Sequence, residues 1–133
     1  MSSIKLNLVK GILAAIILTL VIAALPACTG FADKTYNNPD EAIKVNVDDE
    51  FVIKLDSSPL TGYMWNENYD ANTLELVSHK YRQPDNTSEV GMNGVEVFCF
   101  QALKPGDRDI TFAYKSAGKS DIAKEETYVV NVD

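Results

Sequence analysis

The sequence is poor in the residues from which enzymes and disulfide scaffolds are built. It holds two cysteines, one histidine and one tryptophan in 133 residues. Two cysteines are too few for the disulfide framework that supports many small secreted domains. The single histidine, His79, lies in "LELVSHKY", a stretch of strand character, and reads as a surface or satisfied residue and not as a catalytic base. No HExxH, GxSxG, phosphate-binding glycine loop or paired-cysteine metal motif occurs. The acidic run Asp48, Asp49 and Glu50 lacks the spacing of a calcium loop and reads as solvated charge in a turn. No enzymatic activity, cofactor or metal is expected.

Positive charge is the next shortage, with 12 basic against 19 acidic side chains. Lys5 and Lys10 are the only charges among residues 1–27, so ten basic and nineteen acidic side chains remain beyond them, a net charge of −9. Such a surface is repelled by phosphate backbones and anionic headgroups, which excludes nucleic acid as a partner and suits a basic protein.

Those first 27 residues differ from the rest. Lys5 and Lys10 precede a small and apolar run from residue 11 to 27, interrupted only by Thr19 and closed by Leu25, Pro26, Ala27 and Cys28. A basic head, an apolar stretch and small residues before a cut describe a secretory signal. A cysteine directly after the small residue resembles a lipobox, which would make Cys28 a lipidated N-terminus. The rival reading is an uncleaved membrane anchor, the run being near the lower length limit for a span. Both readings put the remainder outside the cytoplasm, lipid-anchored at the cell surface or secreted, with the membrane touched only through the N-terminus. Residues 28–40 are polar and turn-rich and read as a tether. With Cys28 lipidated, Cys99 in "VEVFCF" stands alone and reads as a buried, reduced thiol. Asn86, Thr87 and Ser88 fit the N-glycosylation pattern.

Residues 41–133 form one domain of strands. Apolar and polar residues alternate at 43–47 and 51–55, and strand-type runs follow at 63–67, 74–81, 95–102, 110–114 and 127–132. No convincing helical period appears after residue 40. About seven short strands in some hundred residues predict an all-β, immunoglobulin-like Greek-key sandwich, expected to act as a monomer.

The connections are longer than such a sandwich needs. Leu55 and Tyr63 are separated by seven residues, whereas antiparallel strands can be joined by two. Further long connections run over residues 82–93 and 115–124. Strand order places the three at one end, and long loops clustered on a rigid scaffold are binding equipment. Leu60 reads either as an anchor for a partner's groove or as a cap folded back on the core.

Ser58, Pro59, Leu60, Thr61, Gly62, Tyr63, Met64 and Trp65 resemble the Asn-Pro-Thr-Thr-Gly-Tyr-x-Trp signature of the chagasin family, inhibitors of papain-like cysteine proteases. "LELVSHKY" and "VGMNGVEVFCFQALKPGDRDITFAY" resemble that family's continuation in order and spacing, so the likeness covers roughly residues 42–132. The resemblance implies an immunoglobulin-like fold whose three loops enter a protease cleft and cover its catalytic cysteine and histidine without being cut. The implied protease-binding residues are Ser58, Pro59, Leu60, Thr61 and Gly62 in the first loop, and Gly91, Met92, Asn93 and Gly94 in the second. Lys115, Ser116, Ala117, Gly118 and Lys119 form the third. Gly62, Gly91 and Gly94 would allow tight turns and close backbone approach, and Tyr63 and Trp65 would hold the loop base. The chain departs from the family where Ser58 replaces Asn, Leu60 replaces Thr, and Ser116, Ala117 and Gly118 stand in place of Arg-Pro-Trp. Loss of one aromatic hot spot costs about 2–4 kcal/mol against about 12 kcal/mol for a nanomolar complex, a weakening of roughly 30- to 1000-fold that still leaves room for inhibition. The alternative function is a non-inhibitory cell-surface module that binds another extracellular protein or a glycan.

Overall fold

Successive side chains of a strand point to opposite faces, so an alternating sequence makes a sheet with one apolar face to bury. In this protein two such faces cover each other. The computed structural model describes residues 34–83 and 93–133. The apolar run, Cys28, Asn86, Gly91 and Met92 lie outside the described residues. Among the described residues no helix is long and apolar enough to cross a membrane. The strands are β1 (Thr35–Tyr36), β2 (Ile43–Val45), β3 (Glu50–Ser57), β4 (Tyr63–Asn68), β5 (Leu74–Arg82), β6 (Gly94–Ala102), β7 (Gly106–Ser116) and β8 (Ile122–Val132). One sheet has the order β1-β3-β6-β5 and the other β2-β8-β7-β4. Pairing is parallel for β1–β3 and β2–β8 and antiparallel elsewhere. This is the expected all-β sandwich.

Phe51 and Ile53 of β3 lie opposite Phe100 and Phe98 of β6, and all four are fully buried. Phe112 of β7 and Tyr128 of β8 meet them from the second sheet. The ring centroids of Phe98 and Phe112 are 4.9 Å apart, and Phe112 meets Tyr128 edge-on at 5.8 Å. Each such aromatic pair adds about 0.5–1.5 kcal/mol beyond area burial. Trp65 on β4 is also buried, its ring tilted against that of Tyr114 with centroids 4.9 Å apart and its indole N–H donated to the Asp56 carbonyl at 2.8 Å.

The structure differs from the sequence expectation in its margins. Thr35–Tyr36, inside the expected tether, pairs with Val52 and Ile53 as a two-residue strand. Two residues are too short to show a period, so their pairing had no sequence signal. β7 and β8 continue past the apolar pattern, with Lys115 paired to Ile122 after a bulge, so the third connection shrinks to residues 117–121. Ladder hydrogen bonds use backbone groups, and polar side chains at exposed strand ends do not prevent them. The Asp48 to Glu50 run is turn chemistry: Asp48 adopts φ 71°, and the Asp49 carboxylate accepts the Asn46 backbone N–H at 2.9 Å and Lys34 Nζ at 3.1 Å. These bonds, that from the Asn46 backbone first, hold the Asp49 carboxyl below its ordinary range. Among the described residues no cluster suited to a metal ion occurs.

Cys99 is buried as expected, but it is disulfide-bonded and not a reduced thiol. It packs with Val52 and Val97 in a cluster separate from the main core. A disulfide sulfur fits an apolar setting as well as a thiol does, so the neighbouring residues signal burial and not covalent state. The chain's other cysteine, Cys28, lies outside the described residues. The full chain, unfolded in urea without reductant, should leave Cys99 unlabelled by a thiol reagent and label it only after reduction. Labelling before reduction would contradict the disulfide. Trp65→Ala should destabilise the domain by about 3–5 kcal/mol in urea titration, because a large buried ring leaves a cavity between the sheets.

Candidate functional site: the loop-bearing end

Strand register decides which connections can act together. Ser57, the last residue of β3, pairs with Gly94 at the start of β6, and Arg82 at the end of β5 pairs with Val95. The connection 58–62 and the described ends of the second connection, Gln83 and Asn93, therefore share one end of the sandwich. Tyr63 at the start of β4 pairs with Ser116 at the end of β7, which brings residues 117–121 to that same end. The chain passes from one sheet to the other through residues 58–62, so the first loop lies between the described ends of the second connection, on one sheet, and residues 117–121, on the other.

The first loop is stiffened from within. Pro59–Thr61 form a single 3-10 turn in which the Thr61 N–H reaches the Ser58 carbonyl and the Gly62 N–H reaches the Pro59 carbonyl, both at 3.0 Å. Pro59 presets the first turn, and the Thr61 hydroxyl donates to the Ser58 carbonyl at 2.6 Å. Gly62 closes the turn at φ 80°, a left-handed conformation that a Cβ disfavours. The loop is also tied to its neighbours. The Ser58 backbone N–H donates to the Tyr114 hydroxyl at 3.0 Å, and the Ser58 hydroxyl is hydrogen-bonded to Asn93 Oδ1. Leu60 stands 72% exposed at the tip, so it points outward and does not cap the core.

Beneath the loops lies a polar centre that the sequence reading passed over. Glu96 of β6 is 1% exposed. Its Oε1 accepts the Ser57 hydroxyl at 2.6 Å and the Trp65 backbone N–H at 3.2 Å, and its Oε2 lies 2.7 Å from His79 Nε2. His79 stacks on Phe98 with centroids 3.9 Å apart, so it is the satisfied residue expected. A buried carboxylate is costly unless each oxygen is occupied, and here both are. Ser57 precedes the first loop and Trp65 lies in β4, the strand after it, so one carboxylate clamps both stems and joins the two sheets. The available signal was parity: in "VEVFCF" Glu96 falls on the same face as Phe98 and Phe100. Gly94, two residues earlier, also serves the stem, since a Cβ there would come within 2.3 Å of the Tyr81 hydroxyl and 2.4 Å of the Arg82 carbonyl.

Of the second-loop residues singled out by sequence, Asn93 and Gly94 are thus placed beside the first loop. Lys115 and Ser116 close β7, while Ala117, Gly118 and Lys119 occupy the turn, where the Lys119 N–H reaches the Ser116 carbonyl at 3.2 Å. Five large hydrophobic residues are exposed among the described residues: Leu60, Met64, Tyr81, Ile122 and Val129. Only Val129 is remote from this end by strand register. Scattered exposed hydrophobics are ordinary, whereas their gathering at one end marks a contact surface.

Two sheets and a first loop tied to both of its stems, with an apolar rim, define a binding scaffold, and the comparisons name its kind. The model of the chagasin family of peptidase inhibitors matches residues 44–132. The chain belongs to that family, whose members inhibit peptidases and are not enzymes. The crystal structure of the cysteine protease inhibitor EhICP2 from Entamoeba histolytica is similar at TM-score 0.64 and 23% identity, over 75% of this chain and 95% of that one. The solution structure of Amebosin is similar at TM-score 0.60 and 20% identity, over 74% and 94% of the two chains. These likenesses concern the fold. No curated protein matches in a sequence search.

Glu96→Ala would leave the Ser57 hydroxyl and the Trp65 N–H without an acceptor, at about 1–3 kcal/mol for each buried donor. Urea titration should show that loss, and Glu96→Gln, which keeps one acceptor oxygen, should lose less. Equal stability of Glu96→Ala and wild type would contradict the clamp.

Proposed function

We propose that this protein inhibits papain-like cysteine proteases by inserting its loop-bearing end into the active-site cleft. The observation that carries the proposal is the outward, 72% exposed Leu60 on a turn bound at every stage by its own and its neighbours' hydrogen bonds. A loop already held in one conformation loses little entropy on docking, so more of the contact energy appears as affinity. Leu60 and Thr61 form the tip that covers the catalytic cysteine. Asn93 and Gly94 flank it on one side, and residues 115–119 flank it on the other. The tip offers a closed turn in place of an extended, scissile segment, which fits inhibition without consumption.

Leu60→Asp tests the tip. It would place an unpaired carboxylate in a closed interface, a penalty of several kcal/mol beyond the lost contact. Titration of papain and a cathepsin-L-like enzyme should show inhibition by wild type and none by the variant, with a nearly unchanged melting temperature. Equal inhibition by both proteins would refute the tip assignment. Absence of inhibition by wild type would transfer the scaffold to the binding-module reading, which the small residues Ser116, Ala117 and Gly118 would then favour.

The proposed place of action is outside the cytoplasm. Support comes from the basic head and apolar run of residues 1–27 and from the Cys99 disulfide, a bond that persists in oxidising compartments. One sulfur cannot carry both a lipid thioether and a disulfide, and a lipidated Cys28 would leave Cys99 no second cysteine within the chain. Mass spectrometry of fractionated cells should find a chain without residues 1–27 outside the cytoplasm. Added acyl mass at Cys28 identifies a lipoprotein, and a cross-linked Cys28 and Cys99 peptide pair identifies an unlipidated form. Recovery of an intact Met1 chain in the cytoplasmic fraction would overturn the proposed address.

A further inference from the structure

The loop tips are not the only part of this end suited to a partner. Between the third loop and β4, the outer face of the β2-β8-β7-β4 sheet holds a recess of about 320 Å³ lined by Met64, Asn66, Lys115, Ser116, Ala117, Gly118 and Lys119. Its lining contains two lysines and no carboxylate, in a chain of net charge −7. Among the described residues neither lysine takes part in an ion pair. Met64, Lys115 and Ile122 are register neighbours across β4, β7 and β8. Met64 and Ile122 are 51% and 52% exposed, so a cationic residue lies between two apolar ones on an open sheet face.

We infer that this recess is a second contact for the protease, receiving an acidic segment of the cleft rim that carries an apolar side chain. The inference rests on the inhibitor reading and adds the chemistry of the partner. Three features lead to it. The recess is continuous with the loop tips, since β4 begins directly after Gly62 and Met64 is four residues from Leu60. Its charge is opposite to that of the chain as a whole, so an acidic partner repelled elsewhere is drawn to this edge. Ser116, Ala117 and Gly118 are small, and they leave open a volume that larger side chains would fill. The partner therefore supplies the apolar group. Met64 adapts to irregular shapes, and the lysine stems add apolar cover while their ammonium groups meet carboxylates.

The test is inhibition of a cathepsin-L-like protease of acidic surface by four proteins. These are wild type, the double variant Lys115→Glu/Lys119→Glu, the remote double variant Lys44→Glu/Lys104→Glu of equal net charge, and Leu60→Asp. Raising salt from about 50 to about 500 mM should weaken wild type by about tenfold. The recess variant should be weaker by about 30-fold or more at low salt and should lose that salt dependence, while the remote variant stays within about twofold of wild type. All four should melt together, because the substituted side chains lie at the surface. A recess variant within about twofold of the remote one overturns the inference, while the loss on Leu60→Asp keeps the inhibitor reading standing. Failure of wild type to inhibit at all ends both.

Discussion

The loop-bearing end depends on one buried carboxylate. Glu96 sits at 1% exposure between the sheets, and its three partners come from β3, β4 and β5. Hydrophobic packing alone holds two sheets together without fixing their ends, because apolar contacts are not directional. A carboxylate accepting from Ser57 and from the Trp65 backbone sets the distance between the two stems of the first loop. It also sets a rule for substitution: an apolar residue at position 96 must not strand the donors around it. A polar centre of this kind adds less to net stability than to the uniqueness of the arrangement.

Above the clamp, the first loop is held at several points. The Tyr114 hydroxyl accepts from Ser58, the Ser58 hydroxyl meets Asn93, and the 3-10 turn closes on Gly62. Tyr114 also packs against Trp65 and Tyr63, with centroids at 4.9 and 5.6 Å. Tyr114 of β7 and Glu96 of β6 thus position a loop that belongs to neighbouring strands. Inhibition by such a device follows from shape held in advance, with the entropy of ordering met during folding and not during docking. Leu60, where the family resemblance has threonine, makes the tip more apolar and favours a dry contact.

Much of this was legible in the sequence, for reasons that differ by element. The alternation at 51–55 and 128–132 reports sheet faces directly, because the strand period is two. The run from Ser58 to Trp65 announced a loop of fixed composition followed by aromatic anchors, and Trp65 is indeed buried. Hidden from the sequence were features made by residues far apart in the chain. Glu96 meets Ser57 across 39 positions, and no local pattern reports that meeting. The strand Thr35–Tyr36 exists because the edge of β3 was open to it. The disulfide state of Cys99 was concealed because thiol and disulfide suit the same apolar neighbours. The orientation of Leu60 was undecided by composition and was settled by the turn that carries it.

The central claim is that residues 58–62, on this scaffold, cover a protease's catalytic cysteine. The most direct measurement is the rate at which iodoacetamide alkylates the active-site thiol of a papain-like protease, with and without saturating inhibitor. The account predicts near-complete protection of that thiol while the inhibitor remains a single uncut chain. An alkylation rate unchanged by bound inhibitor would contradict it.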